Sequence, residues 1–125
     1  MSALILEQEA YAIRGAVFEV SREMGIGFLE AVYQECLEKE FRQQSIPYVR
    51  HPNLKLAYKG DPLVQIYTPD FICFGKIIIE LKVAETITDG HKAQIINYLK
   101  ATKLQLGLLV NFGAHPKAQI ERFAL

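Results

Sequence analysis

Apolar residues over the first forty positions recur with helical spacing: Ala10, Ile13, Val17, Val20 and Met24 form one stripe, and Leu29, Val32, Tyr33, Cys36, Leu37 and Phe41 a second. The first predicts an amphipathic helix over residues 5–24, with Gly25 suited to its C′ position. The second predicts a helix over 28–44 that Pro47 ends. The period then changes. Residues 48–58 alternate loosely as a strand, Lys59-Gly60-Asp61-Pro62 turns the chain back, and 64–68 leads into β-branched and aromatic runs at 71–74 and 76–83 around Gly75. Such runs about a glycine predict a β-hairpin. Asp89-Gly90 opens a helix at about 90–102 with Asp89 as its cap, and residues 104–112 are apolar enough for a strand buried on both faces. No repeat, low-complexity segment or linker interrupts the pattern, so residues 1–125 read as one α/β domain whose sheet order stays open.

The hairpin carries the chemistry. If its turn centres on Gly75, paired positions sum to 150 and Asp70 lies across from Glu80, whereas a two-residue loop would shift this by one. Side chains alternate along a strand, so Glu80 and Lys82 share a face while Ile79, Leu81 and Val83 take the other. Opposed residues have Cβ atoms roughly 4.5–5.5 Å apart, close enough for two carboxylates to hold one divalent cation. Without a cation or a proton they would repel. Oxygen ligands favour magnesium or manganese over zinc, and a cation there polarises a phosphoryl oxygen and acidifies water, with Lys82 beside it to orient that water or stabilise phosphate charge. The reaction implied is phosphodiester hydrolysis. Taken alone, Glu-x-Lys is equally the pattern of an ion-paired, solvated strand face, and Thr68-Pro69-Asp70 that of a strand-edge turn.

Composition narrows the setting. With 125 residues, half of them apolar, the chain can bury one core without staples. No apolar stretch approaches the roughly 20 residues that span a bilayer, and the acids at positions 7 and 9 do not suit a signal peptide, so no membrane role and a cytoplasmic location are expected. Cys36 and Cys73 have no metal-ligand spacing and sit among apolar neighbours, as reduced core thiols do. Formal net charge is zero, yet residues 1–40 carry eight acids against three bases, leaving the part with the hairpin at +5. That asymmetry suits a polyanionic partner.

These residues resemble the PD-(D/E)XK nuclease superfamily, whose signature Pro69-Asp70 and Glu80-Leu81-Lys82 match. Gly27-Phe28-Leu29-Glu30-Ala31-Val32-Tyr33 looks like the motif that names the bacterial GxxExxY family within it. Residues 92–100 and 107–113 are also similar, in matching order. The resemblance implies a restriction-endonuclease-like α/β core, a central mixed sheet with a catalytic β-hairpin flanked by helices. It also implies Asp70, Glu80 and Glu30 as metal ligands for Mg2+ or Mn2+, with Lys82 as the catalytic lysine. Gln94 and Tyr98 look like the Gln-xxx-Tyr element of some superfamily exonucleases, and with Tyr33 they make the expected substrate-binding set. The tail around residues 114–119 lacks the glycine-containing lead that often precedes a final arginine, which leaves Arg122 without a role.

Each of these residues also has an ordinary alternative. Glu30 is a first-turn glutamate favoured by the helix dipole, and Gln94 and Tyr98 satisfy rim hydrogen bonds as such residues commonly do. His51, His91 and His115 have no ligand spacing, and the Gly25/Gly27 pair is a helix–helix turn rather than a phosphate loop, since no Gly-Lys-Ser/Thr follows. The leading expectation is a metal-dependent nuclease acting on DNA ahead of RNA. Neutral charge and lack of a recognition domain favour dependence on a protein partner or a second copy. The alternatives are a catalytically idle nucleic-acid- or protein-interaction module, and a homo-oligomer assembled through residues 104–112 as an edge strand.

Overall fold

The computed structural model describes residues 6–125, so residue 5 of the expected first helix, and all but the last residue of the segment weighed as a signal peptide, lie outside it. Helices α1 (Glu7–Met24) and α2 (Glu30–Gln43) follow the two apolar stripes, and Gly25 closes α1 by donating its N–H to Ser21 O. Five strands form a mixed sheet in the order β1 (Tyr48–Arg50), β4 (Phe71–Cys73), β5 (Ile77–Lys82), β6 (Leu106–Asn111), β7 (Gln119–Ala124). Only β5 and β6 run parallel, with α3 (Asp89–Thr102) as the crossover that parallel neighbours require. A separate antiparallel pair joins β2 (Leu54–Tyr58) to β3 (Asp61–Tyr67).

Alternation along β5 divides the interior. Ile77, Ile79 and Leu81 enter a large core with Ile13, Val17, Tyr33, Leu37 and Phe41 from α1 and α2, while Ile78 meets Tyr67 and Leu99 beneath β2–β3 and α3. The hairpin register is the expected one: Phe71 pairs with Ile79 and Cys73 with Ile77, around Phe74 (φ 56°) and Gly75 (φ 67°).

Four expectations change. Residues 48–58 are two strands in two sheets, because His51 adopts φ 49° and Pro52 has no N–H to continue a ladder. Residues 64–67 of the 64–68 run belong to β3, paired with β2, and do not enter the β4–β5 hairpin. Thr88, not Asp89, caps α3: its Oγ1 accepts from His91 N at 3.1 Å, and His91 Nδ1 accepts from Thr88 N at 3.2 Å. Finally, β6 is paired on both edges, so residues 104–112 offer no free edge for assembly. The last strand, β7, is an element the apolar pattern did not predict.

Candidate active site

Backbone pairing between β4 and β5 ends at Phe71–Ile79, and the next rung is made by side chains. The Asp70 amide donates to Glu80 Oε1 (3.1 Å), and the Leu81 amide donates to Asp70 Oδ2 (2.7 Å). Each acid thus takes a main-chain N–H from the strand opposite. Pro69 has no amide to extend the ladder, and its buried ring holds the chain where the strands part. The other two carboxylate oxygens are also occupied: Gln34 Nε2 donates to Asp70 Oδ1 (3.0 Å), and Tyr67 Oη donates to Glu80 Oε2 (2.8 Å).

Burial foremost, and then the nearby Asp70 carboxylate, push the Glu80 carboxyl up to about 7, against the opposing effects of the Tyr67 hydroxyl, the Asp70 amide and Lys82. Two acids so placed, one at the edge of ionisation near neutral pH, make a ready acceptor for positive charge. Lys82 shares Glu80's face of β5 and is half-buried. Its ammonium makes no hydrogen bond or ion pair among the described residues.

Glu30 begins α2 at the exposed end of the site. Partial desolvation and then Asp70 raise its carboxyl, and Lys82 lowers it. It therefore senses the site. It does not complete a cage: among the described residues no three His, Cys, Asp or Glu side chains converge as metal ligands. The expected Glu30–Asp70–Glu80 ligand set is thus two acids with a third at the margin, because Gln34, one turn further along α2, holds the position against Asp70.

The expected substrate-binding residues separate. Tyr33 is fully buried, stacked on Phe112 with ring centroids 4.6 Å apart. Its hydroxyl donates to Gly25 O and accepts from Phe28 N, so it pins the turn before α2 and does not face a substrate. Tyr98 is half-buried, with one ring face stacked on Tyr67 at 3.7 Å. Gln94, one turn before it, is exposed and makes no hydrogen bond to the acids among the described residues.

Gln34 and Tyr67 are the site residues that sequence reasoning missed. Both carried a faint signal, Gln34 as a polar residue on the buried side of α2 and Tyr67 as the last strand residue before Thr68-Pro69-Asp70. A third, Asn111, is completely buried and ties the chain beyond Lys82 to the end of β6. Its Nδ2 donates to Ala84 O (2.8 Å), and its Oδ1 accepts from Ala84 N (3.0 Å) and Gly113 N (2.9 Å).

The family model of the PD-(D/E)XK nuclease superfamily matches residues 7–123. The chain belongs to that superfamily. The crystal structure of SSO0001 shares the fold with a TM-score of 0.56 at 12% identity, over 98% of this chain and 78% of that one. No curated protein matches the sequence. Among the described residues of this PD-(D/E)XK chain, no helix is long and apolar enough to cross a membrane.

The two acids fit a hard divalent cation. All their donors are oxygens, each with one hydrogen bond and a second lone pair to offer, and magnesium keeps several waters, so it needs no all-protein cage.

Proposed function

We propose that this protein is a metal-dependent nuclease that hydrolyses phosphodiester bonds in DNA, with Mg2+ or Mn2+ held by Asp70 and Glu80. The observation that carries this reading is the side-chain rung: two acids fixed to each other's strands, with Lys82 on the face of Glu80. When bound, the cation would polarise the scissile phosphate and lower the pKa of a nearby water. Asp70 and Glu80 each accept one main-chain amide from across the hairpin, which brings the two carboxylates together. Lys82 places a positive, hydrogen-bonding ammonium where it orients the attacking water or offsets charge on the phosphate. Glu30 would act from the margin, where Asp70 and Lys82 already influence its carboxyl.

The finer placement in the GxxExxY family is supported by what that motif does in this fold. Gly27 takes φ 109°, Glu30 opens α2 beside Asp70, and Tyr33 ties the turn back to Gly25. Gln94 and the open side of Tyr98 remain the residues to meet the nucleic acid along α3.

The test is incubation of purified protein with single- and double-stranded DNA and RNA at low salt, where phosphate contacts are least screened. DNA is cleaved with magnesium or manganese and left intact with chelator. Asp70→Ala loses metal binding, whereas Lys82→Ala keeps it and loses about 10²–10⁴-fold in rate, as expected for a group acting on the reacting atoms. Failure to cleave any of the four substrates would make the chain an idle module on a nuclease fold.

A further inference from the structure

Two residues outside the superfamily signature hold its two acids from opposite sides of the sheet. Gln34 arrives from α2 and is 7% exposed, one of two buried polar residues in the described chain. Gln34 donates from Nε2 to Asp70 Oδ1, which sets the amide with its nitrogen inward. The second Nε2 proton then faces His51 Nε2, 2.6 Å away, which accepts it when the ring proton is on Nδ1. His51 also donates its main-chain N–H to Asp70 O at 3.0 Å. Asp70 is thereby held at its carboxylate by Gln34 and at its carbonyl by His51.

Tyr67 arrives from β3 on the other face and is 5% exposed. Its ring lies flat on Tyr98, 5° from parallel, which fixes the direction of the hydroxyl that donates to Glu80 Oε2. A carboxylate held only by one main-chain amide can still swing about its terminal torsion. A second donor on the other oxygen removes that freedom.

We infer that Gln34 and Tyr67 are positioning residues, each locking one acid of the metal site from its own side of the sheet and neither touching metal or substrate. The inference rests on the nuclease reading above. Removing either donor leaves the acids present but free to turn, so metal affinity falls while nucleic-acid binding does not.

The experiment titrates Mn2+ into the purified full chain by calorimetry and measures DNA cleavage over a range of Mn2+ concentrations. It compares wild type, Gln34→Met, Tyr67→Phe and a remote control, Tyr48→Phe, which deletes a comparable hydroxyl-to-carboxylate bond with Glu38 (2.9 Å). Gln34→Met and Tyr67→Phe should each weaken Mn2+ about 10–100-fold. Both should lower kcat at limiting metal with KM for DNA unchanged, and both should recover kcat as Mn2+ is raised. Tyr48→Phe should match wild type. If Gln34→Met does not fold, Tyr67→Phe, which keeps the ring stack, decides. Affinities within twofold of wild type in the folded variants overturn the inference and leave the nuclease reading intact. A wild type that binds no Mn2+ overturns both.

Discussion

The two faces of the central sheet are built to different depths. Against α1 and α2 the sheet buries a continuous core that includes Leu37, Phe41, Phe71, Ile79, Leu81 and Phe112. Against α3 and β2–β3 the matching cluster is smaller, with Tyr67, Ile78 and Leu99 buried and Leu54, Leu56, Tyr98, Leu104 and Phe123 partly buried against them, and β3 is exposed over residues 61–66. The deep face supplies most of the apolar burial that stabilises the fold. The shallow face contributes less of it. The acid pair sits where the strands part and takes one side-chain donor from each face, Gln34 from the deep one and Tyr67 from the shallow one. Folding stability therefore rests mainly on one side of the sheet, whereas site geometry draws on both.

Truncating the same residue type on each face tests this directly. Leu37 and Leu99 are both fully enclosed. Cavity costs for Leu→Ala span about 2–5 kcal/mol according to how well the surroundings collapse. Leu37→Ala, with helix and sheet packed around it, should cost about 4 kcal/mol in urea denaturation. Leu99→Ala, under a two-stranded sheet that can settle onto it, should cost about 2 kcal/mol. Equal costs would mean that the shallow face is as rigid as the deep one.

The acid pair gives the next largest effect, through pH. Glu80 is raised from its ordinary value of 4.5 to about 7 by burial and by Asp70. Below pH 4.5 the folded and unfolded chains both hold this proton, stability does not vary with pH on its account, and it is at its full value. Between 4.5 and 7 the unfolded chain has released the proton while the folded chain keeps it, so stability falls as pH rises. Above 7 the loss is complete, with a ceiling of about 3 kcal/mol. Measured in chelator, the stability difference between pH 5 and pH 8 should be larger in wild type than in Glu80→Gln. If the two profiles run parallel, Glu80 is not the strained group.

Legibility in the sequence followed the range of the interactions. The helical stripes and the Gly75 register were readable because each is set by neighbours a few residues apart, and the register alone placed Asp70 across from Glu80. The break at His51–Asn53 was hidden because loose alternation continues through it, while the chain is turned by a left-handed residue whose amide reaches Asp70 O. Gln34 was hidden because its partner is 36 positions away. Tyr33 looked like a site residue from its place in the Gly27–Tyr33 motif, and only packing against Phe112 shows that it faces inward. No short-range rule separates a residue that holds an acid from one that fills the core behind it.

Two glycines in and after β6 provide the finest comparison. A Cβ on Gly113 would lie 2.6 Å from both the N and the O of Ala84, main-chain atoms clamped by Asn111 that cannot give way alone. Gly113→Ala should therefore cost about 2 kcal/mol, within the usual range for overpacking. It should also lower nuclease activity at saturating Mn2+, since the displaced segment follows Lys82. A Cβ on Gly107 would meet Ile95 Cδ1 at 2.8 Å and Cγ1 at 3.1 Å, with Leu99 Cδ1 at 3.4 Å. These are side-chain ends on α3, above the shallow core, and Ile95 can relieve the clash by a rotamer change or a small outward movement of its helix. The added methyl also gains burial, and alanine in a strand loses less backbone entropy than glycine. Gly107→Ala should therefore change stability by less than about 1 kcal/mol and leave cleavage untouched, read by urea denaturation and initial rates on the same preparation. A cost equal to that of Gly113→Ala would show that α3 is held against β6 as firmly as main chain holds main chain, and the distinction between a deep, fixed face and a shallow, yielding one would fall.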